Sequence, residues 1–122
     1  MRRIAGLNIL LVENEALIAM DVAALLAKTE CRVVGPCSNV ADALNAIARE
    51  RIDCAILDVN LGREHTLHLA DTLTARAVPF IWMSGYDSEM LPPRHQRRPF
   101  IAKPFAAEVL FDALAAAVEK TG

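Results

Sequence analysis

Short, almost wholly apolar runs alternate with amphipathic stretches along this chain. Asn8 to Val12, Cys54 to Asp58 and Val78 to Met83 are aliphatic or aromatic at nearly every position, as strands buried on both faces are. Two shorter runs fit the same role: Arg32 to Gly35, closed by Pro36, and Phe100 to Ala102, which follows Pro99. Between them, Glu15 to Lys28 repeats Ile18, Val22 and Leu25 at helical spacing, with Asn14 as its cap. Asn39 caps a second helix through Val40, Ala43, Leu44 and Ile47. After a turn at Gly62, a third helix is predicted from Glu64 to Ala75, and Ala106 to Glu119 forms the last one.

Strands that alternate with helices require crossover connections, so the pattern predicts an α/β domain with a doubly wound, five-stranded parallel sheet. One segment breaks the alternation. Tyr86 to Arg98 contains Pro92 and Pro93, which remove donors and disfavour helix, so a fourth helix there should be short or irregular, with few apolar anchors. Arg94, His95, Arg97 and Arg98 make this segment basic, suited to a solvated face or to an acidic partner.

Composition narrows the function classes. At 122 residues, of which 54% are hydrophobic and 23% charged, the chain is expected to form one folded domain over residues 1–122. A formal charge of -2 gives no general attraction to nucleic acid or anionic lipid, so direct nucleic-acid binding is not expected. The apolar run Leu7 to Val12 is too short for a leader or a membrane span, and a cytoplasmic protein is expected. Cys31, Cys37 and Cys54 lack metal-type spacing and are odd in number, which predicts reduced thiols. Cys54 and Trp82 are expected in the core.

The candidate chemistry lies at the strand ends. Strand one runs into Glu13-Asn14-Glu15, strand three ends on Asp58, strand four delivers Ser84 and strand five delivers Lys103-Pro104. Side chains at the carboxyl edge of such a sheet are accessible on a rigid backbone. Acids, an aspartate, a hydroxyl and an ammonium converging there suit the handling of a phosphoryl group. Each has a plainer reading: Asp58 as a strand-end carboxylate capping the third helix, Glu13, Asn14 and Glu15 as a polar helix start, Ser84 as a helix cap or turn residue, Lys103 as a surface lysine.

In order and spacing, these motifs resemble the receiver domain of bacterial two-component response regulators over nearly the whole chain. Trp82-Met83-Ser84-Gly85-Tyr86 stands where an alphaproteobacterial branch of that family has Phe-Ala-Thr-Gly-Tyr. The resemblance implies a flavodoxin-like strand order of 2-1-3-4-5, with Asp58 as the phosphoacceptor. It implies Mg²⁺ held by Glu13, Asn14, Asp58 and the carbonyl of Asn60, and no organic cofactor. Lys103, brought in by a cis Lys103-Pro104 peptide, would contact Asp58 and then the phosphoryl group, Ser84 would donate to it, and Phe100 would be the switch residue. Glu15 is assigned only to the helix dipole.

The chain departs from the family at Asn14, where a second acid is usual. By resemblance it is a stand-alone receiver and not an enzyme, beyond Mg²⁺-dependent phosphotransfer to its own aspartate. Its partners would be a sensor histidine kinase or phosphotransfer protein and a downstream protein, with a homodimer left open. A pseudo-receiver that binds partners without phosphorylation is the alternative that Asn14 supports. A flavodoxin-like or phosphatase enzyme on the same fold ranks last, since no Gly-rich phosphate loop or catalytic cysteine motif is present.

Overall fold

The computed structural model describes residues 2–61, 64–84 and 91–121. Five strands, β1 (Asn8–Val12), β2 (Arg32–Cys37), β3 (Cys54–Asp58), β4 (Phe80–Ser84) and β5 (Phe100–Ala102), form one sheet in the order β2-β1-β3-β4-β5. All four pairings are parallel, which is the expected flavodoxin-like order. Among the described residues, four helices cover it: α1 (Ala16–Ala27), α2 (Val40–Arg49), α3 (Leu67–Ala75) and α4 (Ala107–Thr121).

The apolar strands split their side chains between two core layers because successive residues point to opposite faces. Leu10, Val12, Ala55, Leu57, Phe80 and Trp82 meet α2 and α3 through Ala43, Ile47, Leu69 and Leu73. Ile9, Leu11, Cys54, Ile56, Ile81 and Met83 meet α1 and α4 through Val22, Leu26, Leu110 and Leu114. Cys54 and Trp82 are therefore core residues, as expected, and burial pushes the Cys54 thiol up to about 12. All three cysteines are free. Among the described residues, no helix is long and apolar enough to cross a membrane.

The fourth strand begins at Phe80 rather than Val78 and the last helix runs Ala107–Thr121 rather than Ala106–Glu119, and three further differences from the sequence expectation have a clear physical cause. Pro36 does not close β2, which continues to Cys37. An edge strand tolerates proline, and the register passes from Leu10 opposite Val34 to Val12 opposite Cys37, so β2 holds one extra residue at a bulge. Gly35 makes this bulge at φ 101°, where an added Cβ would lie 2.7 Å from the Cys37 nitrogen and 2.9 Å from the Leu11 carbonyl oxygen. Gly35→Ala should therefore cost about 2 kcal/mol, read as a lower urea midpoint at unchanged slope. An unchanged midpoint would mean that the bulge relaxes freely.

The third helix does not begin at Glu64. Glu64–His65 instead pairs antiparallel with Asn60–Leu61, and α3 starts at Leu67. Thr66 stops the helix from extending backwards: its hydroxyl is shared between the carbonyls of Asp58, at 2.7 Å, and Val59, at 3.0 Å, and does not cap α3. Asn14 likewise does not cap α1, whose N-cap position is Glu15, without a side-chain hydrogen bond. Asn39 does cap α2, accepting from the Asp42 N–H at 2.8 Å.

Between β4 and β5, the described residues from Leu91 onward contain only the 3-10 turn Pro93–His95, in keeping with the expected short or irregular fourth helix. Residues 85–90, the rest of that expectation, lie outside the described residues. The segment is better anchored than its polarity implied. Leu91 and His95 are buried, and the Trp82 indole N–H donates to the His95 carbonyl at 3.1 Å. The His95 ring packs edge-on to Phe80 and Trp82 and is thus no part of a solvated basic face. Its Nε2 lies 2.8 Å from Asp71 Oδ1, and Arg94 grips the same carboxylate with two bonds of 2.9 and 3.1 Å. The Arg94 and His95 bonds hold the Asp71 carboxyl down at about 2. An ionised carboxylate only accepts, so His95 Nε2 carries the hydrogen.

Candidate functional site

Parallel strands all end at the same edge, and the register brings the expected site residues there. Val12 pairs with Leu57, Asp58 with Met83, and Ser84 with Ala102. Glu13, Asp58, Ser84 and Lys103 consequently sit side by side at the ends of four strands. Glu13, Asp58 and Ser84 are all buried.

Lys103 is the hub. Its Nζ lies 2.5 Å from Glu13 Oε1, 3.1 Å from Asp58 Oδ2 and 3.7 Å from Glu15 Oε1. The Lys103 backbone N–H donates to the Ser84 carbonyl at 2.8 Å, and the Lys103-Pro104 peptide is cis, as the resemblance implied. Burial alone would lower the lysine's affinity for its proton. The Glu13 hydrogen bond and the Asp58 charge overcome that and raise it above the ordinary value.

Glu13 uses both oxygens. Oε1 takes the lysine and Oε2 accepts the Glu15 N–H at 3.0 Å, so this buried carboxylate serves the start of α1 that Asn14 was expected to cap. Burial would raise the Glu13 carboxyl, but the hydrogen bonds it accepts from Lys103 and the Glu15 N–H hold it below its ordinary value. Asn14 itself is exposed. Glu15, assigned only to the helix dipole, joins the cluster: carboxylate oxygens of Glu13, Glu15 and Asp58 lie within 4.8 Å of one another. Three carboxylates around one ammonium leave a negative excess, the donor set a hard divalent cation takes.

Phe100 is half-buried at the start of β5, opposite Trp82 and against the core layer that contains it. Thr66 was missed by sequence reasoning. It fixes the carbonyls that follow the Asp58 strand, and a lone threonine in a polar loop gives no signal of that. The Glu15 carboxylate had a signal, in the unbroken polar triplet after strand one.

A family model described as the response regulator receiver domain matches residues 9–115. The solution structure of SdrG from Sphingomonas melonis Fr1 is 38% identical, with a TM-score of 0.82 over 97% of this chain and 99% of that one. A BeF3-activated conformation of SdrG from Pseudomonas melonis Fr1 is 39% identical, with a TM-score of 0.79 over 93% and 98% of the two chains. The curated transcriptional regulatory protein PdtaR of Mycobacterium tuberculosis is 25% identical over 93% of this chain, and the match spans only 57% of PdtaR's length.

Proposed function

The chain belongs to the response regulator receiver family, and from that premise we propose that it is a signalling switch that accepts a phosphoryl group on Asp58. The observation that supports this most is the Asp58 carboxylate at a rigid strand end, 3.1 Å from the Lys103 ammonium and grouped with two further acids. The donor would be a phosphohistidine on a sensor histidine kinase or phosphotransfer protein. An Asp58 oxygen bonds to phosphorus as the phosphorus–nitrogen bond breaks, and the imidazole nitrogen keeps the electron pair. Lys103 neutralises charge on the transferred oxygens, moving its contact from carboxylate to phosphoryl group. Ser84 donates its hydroxyl to that group.

The carboxylates of Glu13, Glu15 and Asp58 fit Mg²⁺; Glu13 and Asp58 would hold it with Glu15 beside them, and by the family resemblance the Asn14 side chain and the Asn60 carbonyl would complete the set. When bound, Mg²⁺ supplies charge neutralisation and orientation of the phosphoryl oxygens. The protein is then a substrate of phosphotransfer rather than an enzyme acting on others. Output would follow from movement of Ser84 and Phe100, passed to the segment around Leu91–Arg98 and read by a downstream protein.

Beryllofluoride with Mg²⁺ tests the reading. It should move the amide resonances of Ser84, Lys103 and Phe100 in the wild type and leave Asp58→Asn unmoved. No shift in the wild type would favour the constitutive interaction module that Asn14 supports.

Asn14 also yields a quantitative expectation. A carboxylate in place of the amide, with charges of one and two about 4 Å apart, adds roughly 2 kcal/mol even at water's dielectric. Asn14→Asp should thus tighten Mg²⁺ about tenfold or more and speed phosphorylation at limiting metal. Equal dissociation constants in a titration would put position 14 outside the metal's reach.

A further inference from the structure

A cavity of about 520 Å³ opens at the end of the sheet away from Asp58, where the chain enters β4 and β5. Val78, Phe80 and Pro99 give it apolar lining, and Arg94, Arg97 and Arg98 surround it. We propose that this cleft binds a carboxylate-rich segment of a partner protein. The acids go to Arg97 and Arg98, and an adjacent apolar side chain rests on Val78 and Pro99, which are both half-buried.

The arginines differ in what they can offer. Arg94 is engaged by Asp71 through two bonds, which neutralises much of its charge. Arg98 lies over the Phe80 ring, 4.4 Å from its centroid, and bonds Thr74 Oγ1 at 3.1 Å, neither of which consumes its charge. Arg97 is exposed and forms no ion pair among the described residues. Two guanidinium groups are therefore available, one already oriented. A planar fork fixed over an aromatic ring suits carboxylate recognition and loses little freedom on binding.

Charge decides between classes of partner. With a formal charge of -2, the whole chain repels a long polyanion, and a single concave site offers no extended basic stripe along which a nucleic-acid backbone could track. A short acidic segment needs only local complementarity. The cleft lies far from the phosphorylation edge, so this inference does not rest on Asp58 accepting a phosphoryl group.

Fluorescence polarisation of a labelled short peptide, with adjacent glutamates beside a leucine, tests it on the unmodified chain. Binding should weaken with added salt, fall about tenfold in Arg97→Glu and stay unchanged in Asp58→Asn. Arg97 is exposed, so its variant should fold, which circular dichroism checks. The proposal is overturned by no binding at about millimolar peptide, by equal binding of a glutamine-substituted peptide, or by tighter binding of duplex DNA or ATP.

Discussion

Asp58→Asn is expected to reduce phosphoryl incorporation to background while the domain keeps its fold. The amide is close in shape to the carboxylate, yet it cannot serve as the anionic nucleophile. Asp58 ends β3 at the site edge rather than filling either core layer. Its loss removes one contact to Lys103 but also one acid from a crowded cluster. The two effects oppose each other, and stability should change by no more than about 1 kcal/mol. Radiolabel incorporation together with a urea melt checks both halves. Undiminished incorporation would exclude Asp58 as the acceptor, and gross unfolding would make it a structural residue.

Lys103→Ala should have the largest effect on stability. The Glu13 side chain is fully buried and Lys103 largely so, and removing one partner of a buried pair leaves the other charge uncompensated. Glu13 can relieve that by taking a proton, which brings the expected loss to about 2 or 3 kcal/mol, below the upper range for broken buried pairs. Glu13→Gln added to Lys103→Ala should return much of it, since the stranded charge is then gone. A double-mutant cycle in urea measures this coupling. Additive losses would mean that the 2.5 Å contact contributes nothing specific.

What could be read from the sequence was local. The apolar runs marked β1, β3 and β4 because burial on both faces leaves few polar positions, the shorter edge runs at Arg32 and Phe100 completed the alternation, and strand ends then located Glu13, Asp58, Ser84 and Lys103. The errors arose where distant parts of the chain decide. Pro36 remains in β2 only because β2 is an edge of the sheet. His95 is buried because Trp82 and Phe80 offer it a surface, and Asp71 a hydrogen-bond partner, from other elements. Glu64–His65 is extended because Asn60–Leu61 is beside it and Thr66 is bonded to the end of β3. At the site, Glu13 took over the start of α1 from Asn14 because it is the residue held inward by Lys103. No window of neighbouring residues contains that information.

The most direct measurement of the central claim is the location of phosphate after reaction with a small-molecule phosphodonor and Mg²⁺. Mass spectrometry of the digested protein should find a base-labile phosphate on the peptide containing Asp58, dependent on Mg²⁺ and absent in Asp58→Asn. Phosphate on another residue, or none at saturating Mg²⁺, would contradict the account.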